Sequence, residues 1–221
     1  MSNKPIAGQE GRRVVSAAIR RALFAGDMVP GQRLIEQELS TSLNAARAAV
    51  REALQDLAAE GLVELIPRRG ARVRIVTVEE ALQITECRAS LEGLCARRAA
   101  DLASVEDRGR LRRIGERMRA AVASGDLSTY STLNTELHSS LAHMSGQAVA
   151  EALLNRLKGQ MVRYQFRLAL RAGRPGESLP QHLAIIEAIV TGDGPAAEAA
   201  VRAHLESVSA ELSKSPEPAV V

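Results

Sequence analysis

A chain of 221 residues is long enough for one large domain or two ordinary ones, and 46% hydrophobic with 25% charged residues describes a sequence that folds. An aromatic share of 2% with no Trp argues against base-stacking platforms for single-stranded nucleic acid. No apolar run approaches the roughly 20 residues of a membrane helix, and residues 1–10 lack the apolar centre of an export signal, so a cytoplasmic location without a membrane partner is expected. Cys87 and Cys95 read as reduced core thiols. The net charge of +3 is unevenly spread. Twelve Lys and Arg stand against eight Asp and Glu up to residue 76, and seventeen against eighteen beyond it. The basic excess in the first third hints at an anionic partner there.

Residues 1–10 form an expected flexible tail. From Gly11 to Ala25 the apolar Val14, Val15, Ala18, Ile19, Leu23 and Phe24 recur at three- and four-residue steps, which predicts a helix capped by Gly26. Pro30-Gly31 marks a turn. A second helix is predicted over Ile35–Leu43, broken by Asn44, and a third over Ala46–Glu60, closed by Gly61. Leu62–Ile66 and Ala71–Val76 flank the turn Pro67-Arg68-Arg69-Gly70, and Arg72, Val73, Arg74 and Ile75 alternate with period two, which predicts a hairpin.

Everything after Val76 reads as helix. Thr77-Val78-Glu79-Glu80 is a capping box opening a helix toward Ala100, and Ser104 with Asp107 opens another that ends at Gly125. A third runs from Leu127 to Met144 and a fourth from Gln147 to Arg171, followed by a loop at Gly173-Arg174-Pro175-Gly176. Ser178 and Asp193 are expected N-caps for two final helices, each with Pro two positions later. The expected fold is therefore mainly α: a winged helix-turn-helix over 11–76, a six-helix all-α bundle over 77–212, and a flexible tail over 213–221.

In a winged helix-turn-helix the third helix enters the major groove with its N-terminal residues toward base edges. Here Arg47 and Arg51 stand four apart, about 40° around the helix from each other, beside an apolar stripe of Val50, Ala53, Leu54 and Leu57. Alanines at 45, 46, 48 and 49 are expected to let the helix approach DNA closely. An arginine suits this place because its planar fork meets guanine O6 and N7 together. The alternative is a pair of solvated surface charges. Arg68, Arg69 and Gly70 at the wing tip, with Arg72 and Arg74 on the strand, add a basic edge for phosphate contacts that carry affinity without sequence information.

The runs Gly26-Asp27-Met28-Val29-Pro30-Gly31-Gln32-Arg33-Leu34, Glu38-Leu39, Ala46 through Leu54, Leu57, Glu60-Gly61-Leu62-Val63 and Arg69-Gly70 resemble the GntR family of bacterial transcription regulators. Two positions depart from that pattern. Ala46 stands where the family usually has Ser or Thr, and Ala49 where it often has Pro; the first removes a helix cap worth about 1 kcal/mol. The helical remainder resembles the FCD effector-binding domain of the FadR subgroup. That resemblance implies a divalent transition metal, zinc or nickel foremost, held by Asn134, His138, His182 and His204, with Asn134 replacing the usual Asp. His143, five past His138, should point elsewhere. A metal-free pocket whose protonated histidines hold an anion is the alternative.

The stretch Thr85 to Glu92 resembles the one whose arginine, here Arg88, turns inward to hold an effector carboxylate; unaided by the family, an exposed Arg88 paired with Glu92 is as reasonable. Tyr130, Tyr164 and Phe166 read as core. The expected function is a DNA-binding transcription regulator, most simply a repressor. It would act as a homodimer on an operator in double-stranded DNA and be released by a small carboxylate effector. The rivals are a metal-dependent hydrolase and a DNA-binding protein without effector. Against the hydrolase, the nearest carboxylate on the His138 helix, Glu136, should face away from the metal.

Overall fold

The computed structural model describes residues 5–67, 69–161, 164, 168, 171 and 173–215, with the backbone alone at 24 and 25. It divides into two compact units. One comprises residues up to Thr77 with a short stretch from Lys158; the other comprises Val78–Leu157 and Tyr164–Ser215.

The first unit begins with α1 (Gly8–Ala25), which buries Val15 and Ile19 completely and ends at Gly26, whose φ of 80° closes the last turn. Next come α2 (Glu36–Ser42) and α3 (Arg47–Ala59), separated by Asn44 at φ 47°. The sheet has three antiparallel strands in the order β1-β3-β2, with β1 at Arg33–Leu34, β2 at Val63–Ile66 and β3 at Gly70–Val73. The hairpin is in register Val63↔Val73 to Ile66↔Gly70, while β1 pairs Arg33↔Arg72 and Leu34↔Ala71. Val15, Ile19, Leu34, Leu54, Leu57, Val63 and Val73 meet in one core. Arg12–Asp56 and Arg20–Glu60 ion pairs tie α1 to α3.

Three expectations for this unit are corrected. Residues 8–10 are helical rather than tail, and Ile6 forms a parallel bridge with Ala45. The two-residue strand β1 was unread because Arg33-Leu34 is too short to show a period. Ala45 and Ala49 do not face outward: both are buried, and Ala49 packs so close to Gly11 that a Cβ there would sit 3.0 Å from it. Small side chains at these two positions serve helix packing, leaving only Ala46 and Ala48 toward solvent.

The second unit contains α4 (Val78–Leu102), α5 (Val105–Ser124), α6 (Leu127–Met144), α7 (Ala148–Gln160) up to Leu157, α8 (Arg174–Thr191) and α9 (Gly194–Leu212). Its main core joins Ala96, Leu111, Ile114, Met118, Leu133, Leu137, Ile185, Ile189, Val201 and Leu205. Ser104 and Asp107 form the expected capping box, and Asp193 accepts from the Ala196 amide. Arg108 donates to the carbonyls of Ala100, Ala103, Ile189 and Val190 at 2.5–3.1 Å, satisfying acceptors that helix ends leave open.

Two boundaries differ from expectation. α7 ends at Gln160 rather than continuing to Arg171; most of 162–172, Phe166 included, lies outside the described residues. α8 begins at Arg174 behind a left-handed Gly173, so the expected loop is its first turn and the expected cap Ser178 is buried inside it. Pro175 occupies the first turn, where its missing N–H has no partner to lose. Pro180 sits within the helix, where the carbonyl four residues back belongs to Gly176.

Candidate functional site

In the first unit, Arg47 opens α3 and Arg51 lies one turn on, both exposed. Ala46 is the N-cap and makes no side-chain cap bond. An Ala46→Ser replacement is therefore expected to stabilise the protein by about 1 kcal/mol, read as a raised urea midpoint with an unchanged slope. An unmoved midpoint would mean the end of α3 is already satisfied.

Arg47, Arg51, Glu36, Arg69, Gly70 and Pro67 are among the residues lining a groove of about 640 Å³ between α3 and the wing. Gly70 turns the wing with φ of +88°, and a Cβ there would lie 2.5 Å from the Leu34 carbonyl oxygen, so no other residue fits without displacing β1. Arg68 lies outside the described residues.

The basic side chains differ in what already holds them. Arg47 and Arg69 are exposed and form no ion pair among the described residues. Arg51 donates to Glu36 at 3.0 and 3.3 Å, and Arg72 to its cross-strand neighbour Glu64 at 2.6–2.7 Å. Arg74 lies past the end of β3 and is partly buried, so it adds nothing to an exposed edge. A DNA phosphate or base approaching Arg51 must compete with the Glu36 carboxylate. Glu36→Gln is thus expected to tighten duplex binding by about two- to fivefold at low salt, with the gain fading as salt rises. Weaker binding by this variant would show that Glu36 orients Arg51 instead of restraining it.

In the second unit, three imidazoles from three helices converge: His138 on α6, His182 on α8 and His204 on α9, all buried. One ring nitrogen from each lies within 4.8 Å of the other two. Their Nδ1 atoms are held by other groups. His138 Nδ1 donates to Glu92 at 2.6 Å, His204 Nδ1 donates to the Gln181 amide oxygen at 2.9 Å, and His182 Nδ1 lies 2.8 Å from the Tyr130 hydroxyl. Carboxylate and amide oxygens only accept, so the first two rings carry a proton on Nδ1, which leaves Nε2 as the nitrogen each would turn to a metal. Nε2 of His182 and Oδ1 of Asn134 are buried with no hydrogen-bond partner among the described residues. An unpartnered ring nitrogen among converging imidazoles, with an unpartnered amide oxygen one helical turn before His138, fits a transition metal, and the outer bonds already fix ring orientation.

Burial drives the electrostatics. It holds His182 well below the ordinary histidine pKa and His204 down to about 3, with the neighbouring imidazoles adding to both shifts. It also raises the Tyr130 phenol, which therefore stays protonated. A neutral ring is the form that donates a lone pair, and for His182 and His204 that is the opposite of an imidazolium gripping an anion.

Arg88 is buried as the resemblance implied and paired with Glu92 as its spacing implied, at 2.9–3.0 Å. Glu92 thus links Arg88 to His138. Three partners of the imidazoles were not singled out as site residues from the sequence: Glu92, Tyr130 and Gln181. For Glu92 a signal existed, since Thr85, Arg88, Glu92, Ala96 and Ala99 fall on one buried stripe of α4 and two ionisable residues on such a stripe must pair. His143 is exposed, near Glu151, away from the cluster. Glu136 faces outward, bound to Arg110 at 3.0 Å.

Two family models match the chain. That for bacterial regulatory proteins of the gntR family covers residues 12–73, and that for the FCD domain covers 83–207. An HTH-type transcriptional regulator from an unstable DNA locus of Streptomyces ambofaciens is 32% identical over 94% of this chain and 87% of its own length. The HTH-type transcriptional repressor RspR of Escherichia coli K12 is 29% identical over 86% of this chain and 84% of its own. A solved GntR-type regulator from Rhodococcus sp. RHA1 superposes with a TM-score of 0.74 at 27% identity, covering 95% of this chain and all of that one.

Proposed function

Because the chain belongs to the GntR family of bacterial transcription regulators and carries an FCD domain, we propose that it is a repressor whose hold on operator DNA is released by a small organic acid bound beside a divalent transition metal. The observation that carries the effector half is the convergence of His138, His182 and His204, with Nε2 of His182 left unpartnered in it and the buried, unpartnered Asn134 Oδ1 one helical turn before His138. Zinc or nickel suits three imidazoles, and a bound metal would offer an open position to a carboxylate. Asn134 brings an oxygen without charge, so the site holds its metal less tightly than one with Asp there.

The DNA half rests on the groove between α3 and the wing, with Arg47 and Arg51 aimed at base edges and Arg69 and Arg72 at phosphates. Two half-sites need two heads, so the active form is a cytoplasmic homodimer. The exposed Leu94, Leu102, Val149 and Leu153 of the second unit provide apolar surface for it. An effector shifts DNA affinity only by its differential affinity for the competent and incompetent arrangements, ordinarily about 1–3 kcal/mol or roughly 5- to 150-fold.

Elemental analysis after reconstitution with zinc or nickel should find about one ion per chain, lost in His182→Ala and held more tightly in Asn134→Asp. A metal-free parent protein, or weaker binding by the Asp variant, would overturn the ligand set. Gel shifts on fragments from the protein's own genomic neighbourhood should show retention that organic acids relieve. Retention insensitive to every acid would leave a DNA-binding protein without effector.

A further inference from the structure

Arg174 stands at the first position of α8, 6% exposed, on the helix that carries His182. Its Nη1 donates to Ser207 Oγ at 3.0 Å and to Glu177 at 3.3 Å, but Nη2 is buried with no partner among the described residues. Glu177 is 64% exposed and so neutralises little of that charge. Glu211, on the same helix as Ser207, is already held by Arg171 and Lys214. A buried guanidinium with an idle nitrogen is costly to leave so, and a carboxylate is the acceptor that meets both its hydrogen bonds and its charge.

The position is informative. Ser207 lies three residues beyond His204 on α9, so the hydroxyl that Arg174 touches stands about 4.5 Å of helix rise from a residue of the imidazole cluster. Its charge is felt there, adding to the downward shifts of His182 and His204. Arg88 is not equivalent, because its Nε and Nη2 are both spent on Glu92.

We infer that Arg174 Nη2 is a second anion subsite, and that the effector is a diacid of about four to six carbons with one carboxylate at the metal and the other on Arg174. This rests on the metal-and-acid reading above and narrows it from any organic acid to one with two anionic ends.

The test compares acids that differ only in the second carboxylate, malate against lactate and 2-oxoglutarate against 2-oxobutyrate, by calorimetric titration of the zinc-loaded full chain. Succinate, glutarate and adipate extend the series. At least one diacid should bind about tenfold or more tighter than its monoacid counterpart. Arg174→Gln should abolish that difference while keeping one zinc per chain and the monoacid affinity, and Arg174→Lys should restore part of it. Should the Gln variant fail to fold, the paired acids on the parent protein decide alone. Equal affinities for diacid and monoacid, or no diacid binding to zinc-loaded protein, would overturn the subsite and leave the metal centre standing. Failure to load zinc would instead overturn the reading on which it rests.

Discussion

Arg88→Met is expected to destabilise the protein by about 3–5 kcal/mol, the loss typical of removing one partner from a buried ion pair. Arg88 and Glu92 are 5% and 3% exposed, and removing the guanidinium strands a buried carboxylate beside His138. The measurement is urea unfolding at pH 7 with a chelator present, so that metal linkage does not mask the change. Much of the loss should return in the double variant Arg88→Met, Glu92→Gln, because the second change removes the stranded charge. A loss below about 1 kcal/mol in the single variant would mean that Glu92 is served by other groups. The pair matters beyond stability, since Glu92 fixes the tautomer of His138. The single variant should also bind zinc more weakly than its residual fold accounts for.

Arg47→Ala should weaken binding to the operator by about 1–3 kcal/mol, roughly five- to 150-fold, and relax preference at one base pair. Arg47 is chosen over Arg51 because it opens α3, lines the groove and has no carboxylate to leave before meeting DNA. Arg69→Ala supplies the contrast. A phosphate contact should cost affinity evenly across sequences and reduce the salt slope by about one. If Arg47→Ala behaved like Arg69→Ala, with no change in sequence preference, the arginine would be a phosphate contact and base reading would have to come from elsewhere on α3. Unchanged affinity would place DNA away from this groove.

Most of the helices were legible because burial imposes a 3.6-residue period, and their ends because glycine and short polar caps have few other uses. The boundaries that misled are instructive. Ser178 carries every local mark of an N-cap, yet the helix starts four residues earlier, where only Gly173 in a left-handed conformation stops it. Local capping preference is worth about 1 kcal/mol and yields to packing that buries Arg174, Ser178 and His182 on one face. Ala45 and Ala49 read as clearance for DNA, and the close approach of Ile6 to the first and Gly11 of α1 to the second claims them instead. The same residue type meets both needs, and periodicity alone does not separate them.

The sequence by itself determined the architecture of a basic reading head followed by a helical module, the arginines at the front of α3, and the three histidines worth watching. Those are matters of spacing along one helix or of ordered motif, and spacing is written in the chain. Only the tertiary structure decided that the three imidazoles meet, that Glu92, Tyr130 and Gln181 turn them inward, and that Arg174 keeps an idle donor beside them. Each of those facts joins residues 20 to 50 or more positions apart. Which polar atom of such a set is satisfied depends on how helices cross, a property that no local pattern records.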